Sequence, residues 1–346
     1  MATGVERASV GGMDSEEHVS FPNPSPWSRN RWLATIAVGA AVWALYALIG
    51  PGEDYFRCYT WMVMEPERLR QVVEFPWTQN PPWLVPFMAP FVTLPGRPGY
   101  IAFMGFTIAA IIYTCHRLGG KPIPILLSAH VMWILWWGQI EAWGLLAIVL
   151  GWLALHKKSW PLMFLALSWA AFKPQISFVP VLGLWWWSGR DRWKSLLALV
   201  VLFALSIVVW GPWPVWYLQS IPGFVGNEHH GTWNASLGLG ALPLFLPALL
   251  LPLDRQKRIV ALTATAHLVS PYMPYYSTIP LLTFAVPWWA YLFGFLGYLP
   301  TVIGTRLAWN GIAFLPLLVL VWIYRPILRD WIVQRWARRR AAGRPS

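Results

Sequence analysis

The sequence predicts an all-α, multi-pass transmembrane helical bundle, on three observations. First, 57% of the 346 residues are hydrophobic and only 12% are charged, against about 25% charged in ordinary globular domains. So few charges cannot cover a soluble particle of this size, which excludes a cytosolic enzyme, and so apolar a chain excludes general disorder. Second, the 27 Trp and 31 Pro suit many helix ends at a membrane–water interface. Third, the basic residues cluster at alternate ends of long apolar runs, as positive-inside topology requires. Cys58 and Cys115, the two cysteines, are too few for a disulfide framework.

The first thirty residues are polar and rich in Ser, Pro and Gly. Residues 1–31 read as a disordered cytosolic leader, with no cleavable signal ahead of Trp32. Trp32–Gly50 follows Arg29 and Arg31, has about the length that spans a bilayer, and is expected to insert with its N-terminus inside. Further apolar stretches run over Trp83–Cys115, Pro122–Trp137, Ile140–Leu155, Trp160–Phe172, Ile176–Trp187, Trp193–Trp210, Leu237–Leu253, Ile259–Val269, Tyr276–Ala290, Tyr291–Gly304 and Leu307–Tyr324. Several fall short of about 20 residues and proline breaks others. Ten to thirteen crossings are therefore expected, some by tilted or broken helices. Trp83–Cys115 carries Pro86, Pro90, Pro95 and Pro98 and reads as one crossing preceded by a re-entrant or interfacial helix. The transmembrane domain is placed at 32–325, with external loops 51–80 and 211–236 and a basic cytosolic tail at 326–346.

Basic residues gather at Arg29/Arg31, Arg117/Lys121, Lys157/Lys158, Arg190/Arg192/Lys194, Arg255/Lys257/Arg258 and the tail from Arg325. With Arg7, 20 of the 26 basic residues and 7 of the 14 acids then fall inside. The net charge of +12 is thus a topology signal, and no nucleic-acid partner is expected. The other polar segments converge on the opposite face: Pro51–Asn80, Gly138-Gln139-Ile140-Glu141, Lys173-Pro174-Gln175, Gly211–Ser236 and Ser270-Pro271-Tyr272. Polar groups at helix ends on one side favour a site at the outer interface; a transporter places them nearer the midplane.

Glu53-Asp54-Tyr55 puts two carboxylates directly after the first span. One could be a general base that takes a proton from an attacking hydroxyl; the pair also suits a solvated turn with Asp as helix N-cap. Tyr55–Val73 reads as a surface helix with Tyr55, Tyr59, Met62 and Val63 on one side. Asn80-Pro81-Pro82-Trp83 forces an extended entry into the next helix. Lys173 is a snorkelling lysine at a helix junction, or a phosphate partner beside a fresh helix N-terminus. Glu228-His229-His230 could offer a proton or phosphate contact, or be a solvated loop; adjacent histidines make a poor metal pair, and no metal is expected. Glu141 opens a helix and complements its dipole. His116, His130 and His267 read as buried, hydrogen-bonded histidines. P-loop, GxGxxG, CxxC-pair and HExxH signatures are absent from the sequence.

In this order the motifs resemble the GT-C superfamily of membrane glycosyltransferases, specifically glycosyltransferase family 87 (domain of unknown function 2029). The landmarks are Asp54 after the first span; Pro81-Pro82 leading to Ala89-Pro90 and Leu94-Pro95; Gly138-Gln139-Ile140; Lys173-Pro174 with Pro180 downstream; Asn234-Ala235-Ser236-Leu237; and Ser270-Pro271-Tyr272 with Tyr275-Tyr276. The resemblance covers roughly residues 30 to 325. Two departures stand out: Ala235 replaces a usual Gln, and after the Ser-Pro pair, where aromatic and histidine residues are usual, Pro274 and Tyr275 intervene and no histidine follows. The external loops are also short.

The resemblance implies a GT-C-like fold and inverting transfer of a hexose, with mannose expected, from a polyprenyl-phosphate donor to a lipid or glycan acceptor. It implies an extracytoplasmic site in the cell membrane, with both termini cytosolic. Asp54 would deprotonate the acceptor hydroxyl. Lys173 is the first candidate for the leaving phosphate, with His229, His230 and Arg57 behind it; Gln139 and Asn234 would bind sugar or phosphate. No cofactor is implied, and membrane lipids are the surrounding partner. Two alternatives remain: a transporter or lipid flippase without chemistry, and a non-catalytic family member acting as an assembly partner.

Overall fold

The computed structural model describes residues 27–67, 80–94, 96–225, 234–299 and 314–342. The expected leader and both histidines of the Glu228-His229-His230 motif lie outside these residues. Among the described residues every element is helical, and the only extended pairings are the isolated bridges Gly119–Phe284 and Asn234–Pro274.

Helix α1 (Arg29–Ile49) starts where Ser28 accepts a hydrogen bond from the Arg31 amide, an N-cap. A π-turn (Tyr55–Tyr59) and α2 (Thr60–Met64) follow. The surface helix expected over Tyr55–Val73 thus stops at Met64, because Pro66 disfavours helix in the residue before it. A 3-10 turn (Pro82–Leu84) leads into α3 (Val85–Val92), and α4 (Arg97–Leu118) follows after a break. A short helix followed by one helix long enough to cross thus stands where an interfacial or re-entrant helix and one crossing are expected for Trp83–Cys115. Helices α5 (Pro122–Leu126) and α6 (Ala129–Trp137) precede α7 (Glu141–Lys157), α8 (Trp160–Ala170), α9 (Pro174–Trp187) and α10 (Arg192–Trp210). The segment expected as loop 211–236 contains α11 (Trp213–Val225). Then come a 3-10 turn (Gly238–Leu244), α12 (Phe245–Leu250), α13 (Arg255–Val269), a second 3-10 turn (Tyr275–Thr278), α14 (Ile279–Thr283), α15 (Trp288–Leu296) and α16 (Phe314–Ala342). Helix α16 runs through Pro326, so much of the expected tail is helical.

Among the described residues three helices, α1, α4 and α10, are long and apolar enough to cross a membrane. A fourth span exists if α6 and α7, bent by 117° at their junction, count as one. The expected ten to thirteen crossings are not reached by length. Pro82–Val92, Trp160–Ala170 and Gly238–Leu250 are apolar but have 10–17 residues. At about 1.5 Å per residue they fall short of a hydrocarbon core of about 30 Å.

The core lies between α4, α7, α8, α9 and α13, which pack on one another. Helix α13 is buried at every residue from Ile259 to Leu268. Helices α1 and α10 are only 17% and 11% buried over their apolar windows, against 61% for α4. Their exposed Leu, Val and Ile side chains suit a hydrocarbon surround, since apolar surface on this scale is unfavourable in water.

Candidate functional site

The breaks between helices converge, and the convergence is built from particular residues. Gly138 ends α6 with φ 73°, a left-handed conformation that glycine adopts at no steric cost. A Cβ there would lie 2.7 Å from the Tyr55 Cβ. The glycine therefore lets the π-turn close onto the α6–α7 bend. The Gly52 amide donates to the Trp136 carbonyl at 3.0 Å, and the Tyr55 ring packs against Tyr100 and Phe103, each at 5.6 Å. These contacts set Asp54 beside Gln139.

Gln139 Nε2 donates to Asp54 Oδ2, and Gln139 Oε1 accepts from Lys173 Nζ at 2.9 Å. Lys173 also donates to Glu141 Oε1, with which it forms an ion pair. The Glu141 side chain has no exposure and that of Lys173 about a tenth. Ser277 donates to the same Glu141 oxygen at 2.8 Å. The ammonium stands 5.1 Å from the centre of the Tyr276 ring, a cation–π distance. Glu141 Oε2 is buried with no hydrogen-bond partner among the described residues.

The Lys173 junction is pinned from a second side. Asn80 Nδ2 donates to the Phe172 carbonyl at 2.5 Å, and the Tyr217 hydroxyl donates to the Asn80 carbonyl. Trp83 Nε1 donates to the Ser168 carbonyl at 3.2 Å. The Asn80-Pro81-Pro82-Trp83 entry is thus a brace for the end of α8.

Burial raises the Asp54 carboxyl to about 6. The Lys173 charge opposes that rise, Glu141 and Glu53 add to it, and the Gln139 hydrogen bond opposes it. Burial also raises Tyr272, with Asp54 and Glu141 contributing. The Ser270-Pro271-Tyr272 segment therefore faces the same cluster.

The structure brings Asp54, Gln139 and Lys173 together. Arg57 is not part of the cluster: it is 78% exposed and paired with Glu53 at 2.5 Å, one turn away. The Asn234 side chain is occupied by local bonds. Its Oδ1 accepts from the Ser236 amide and hydroxyl and from the Met273 amide, and its Nδ2 donates to the Pro271 carbonyl. Asn234 therefore ties its own loop to the Tyr272 segment. Lys173 is the N-cap residue of α9, and its ammonium is directed at Glu141 and Gln139. Glu141, read from sequence as a dipole partner, is the residue that reading missed. A lysine buried at a helix junction demands a carboxylate, and that demand was the available signal. Among the described residues no group of three or more His, Cys, Asp or Glu is arranged to hold a metal.

The class that fold and site define is an all-helical protein with helices able to cross a membrane and a buried cluster of charged residues at its helix breaks. Compared with known proteins, the chain matches no family model, no curated protein and no solved structure.

Proposed function

We propose that the chain is a membrane glycosyltransferase that moves a hexose, with mannose first in line, from a polyprenyl-phosphate donor to a lipid or glycan acceptor at the extracytoplasmic face. The observation that carries the reading is the half-buried Asp54 carboxyl, brought to about 6 and held on one oxygen by Gln139. A base with that acidity is ionised at neutral pH yet still basic enough to take a proton. With Gln139 engaged on Oδ2, the reading assigns Oδ1 to the acceptor hydroxyl.

In the reaction, Oδ1 takes the hydroxyl proton as the acceptor oxygen attacks the anomeric carbon. The new C–O bond forms as the bond to phosphate breaks on the opposite side, with inversion. The electron pair leaves on the polyprenyl phosphate. Positive charge near that phosphate stabilises its departure. On this reading that charge comes from Lys173, through the open tenth of its side chain, with His229 and His230 as further candidates.

The test is transfer by purified protein from radiolabelled polyprenyl-phosphate-mannose into a lipid extract of its source, with Asp54→Asn in parallel. Transfer by the wild type and none by the folded mutant supports the reading. Transfer by both discards Asp54 as the base. No transfer with any sugar donor overturns it.

One observation favours a second reading, a transporter or flippase: Gln139 and Glu141 lie at a 117° helix break, and broken helices commonly hold transported substrates. That reading predicts substrate movement that survives Asp54→Asn, measured in proteoliposomes.

A further inference from the structure

Gln139 has two faces that a hydrogen-bond network must tell apart, since an amide presents a donor on one side and an acceptor on the other. Lysine is donor-only. With Lys173 Nζ 2.9 Å from one end of the amide, that end must be the carbonyl, and the N–H end must meet Asp54. A carboxylate is acceptor-only when ionised, so the two ends of the bridge agree.

Lys173 is itself held. Glu141 Oε1 accepts from it, Ser277 donates to that same oxygen at 2.8 Å, and the Tyr276 ring lies 5.1 Å from the ammonium. Gln139 and Glu141 come from one backbone segment, the bend after Gly138. The lysine thus reaches both acceptors from a single position at the start of α9. Remove the lysine, and the amide answers to Asp54 alone: it can donate its N–H to the ionised carboxylate or turn and accept from the protonated acid. With the lysine in place a flip would set the amide N–H against the ammonium, so only the donor end is offered to Asp54.

We propose that the buried Lys173–Glu141 pair is an orientation lock for Gln139, and that Lys173 and Glu141 are positioning residues for Asp54. The lock holds Oδ2 on a fixed N–H and turns Oδ1 toward the approaching substrate. Its role in catalysis rests on the transferase reading above; the lock itself does not.

The charged and titratable groups around Asp54 are Glu53 and Tyr59 on its own turn, Glu141, Lys173, Tyr272 and Tyr276. Any pH measurement must therefore separate the lock from plain charge effects. Carbodiimide modifies the protonated carboxyl, and its rate at Asp54 as a function of pH, read by mass spectrometry on the full chain in lipid nanodiscs, gives the midpoint directly. The variants form a double-mutant cycle. Gln139→Leu leaves the ion pair in place. Lys173→Met/Glu141→Gln removes both charges together, so no unpaired charge is left buried. The third variant combines all three substitutions, and Lys173→Arg is the conservative rescue.

Gln139→Leu is expected to raise the Asp54 midpoint in the wild-type background, because a hydrogen bond to the ionised form is lost. In the Lys173→Met/Glu141→Gln background the same change is expected to move the midpoint little, because the freed amide serves both protonation states of Asp54 alike. Lys173→Arg, still donor-only, is expected to restore the wild-type response. An equal rise in both backgrounds overturns the lock. Coupling without sugar transfer by the wild type keeps the lock and removes the transferase reading; transfer with additive midpoints does the reverse.

Discussion

At the scale of single residues the proposed chemistry turns on Asp54, and its acidity has two separable consequences. As the proposed base it would have to be ionised, so on the transferase reading activity is expected to fall about tenfold per pH unit below about 6. A pH–rate profile on the donor-saturated enzyme checks the limb, and an acid limb near 4 would remove burial as the cause. Stability runs the other way. The native carboxyl binds its proton more tightly than the unfolded one, so the protein is expected to lose stability as pH rises from about 4 to about 6. That slope, followed by denaturation in detergent across the window, should vanish in Asp54→Asn. Gly138 is the second such residue. Gly138→Ala places a Cβ 2.7 Å from that of Tyr55 at φ 73°. The left-handed conformation alone costs roughly 1–2 kcal/mol, and the contact adds to it. Loss of stability with the helix content unchanged is the expected result.

Between elements, the stabilising contacts run from side chains to the carbonyls of helix ends. Arg97 opens α4 and donates to the carbonyls of Ala47, Leu48 and Gly50, at 2.7–3.2 Å. It thereby satisfies carbonyls that α1 leaves without intrahelical partners. Arg97→Ala is expected to cost about 1.5–3 kcal/mol per charged hydrogen bond lost, seen as a lower melting temperature in nanodiscs. Asn80→Ala removes the donor that pins Phe172, worth about 1 kcal/mol. Because Phe172 precedes Lys173, the variant is also expected to loosen the cluster and lower kcat more than KM is raised. A change confined to stability would make Asn80 a brace with no bearing on the site.

For the whole molecule, the proposal demands that the Asp54 and Lys173 ends of their helices share one side of the membrane, with the loop between α9 and α10 on the other. Cys58 and Cys115 are buried, so introduced cysteines can be labelled against a low background. Arg57→Cys is expected to react with impermeant reagent from outside sealed cells, and Arg190→Cys only after permeabilisation. Both reacting from the same side would place the cluster and the basic loop together and remove the topology.

The sequence by itself determined that the chain is helical and apolar enough for a membrane, because composition and charge placement are properties of residues taken one at a time. It also marked Asp54, Gln139 and Lys173, since polar residues at the ends of apolar runs stand out without any coordinates. It overstated the crossings, because an apolar run does not say whether its prolines leave one long helix or several short ones, as they do between Trp83 and Leu118. Only the tertiary structure decided that Glu141 belongs with Lys173, that Asn234 is occupied by its own loop, and that Arg57 stands apart in solvent. These outcomes depend on which helix ends meet, and the meeting is fixed by long-range packing around α7 and by Gly138, where the absence of one Cβ lets the π-turn carrying Tyr55 approach the α6–α7 bend.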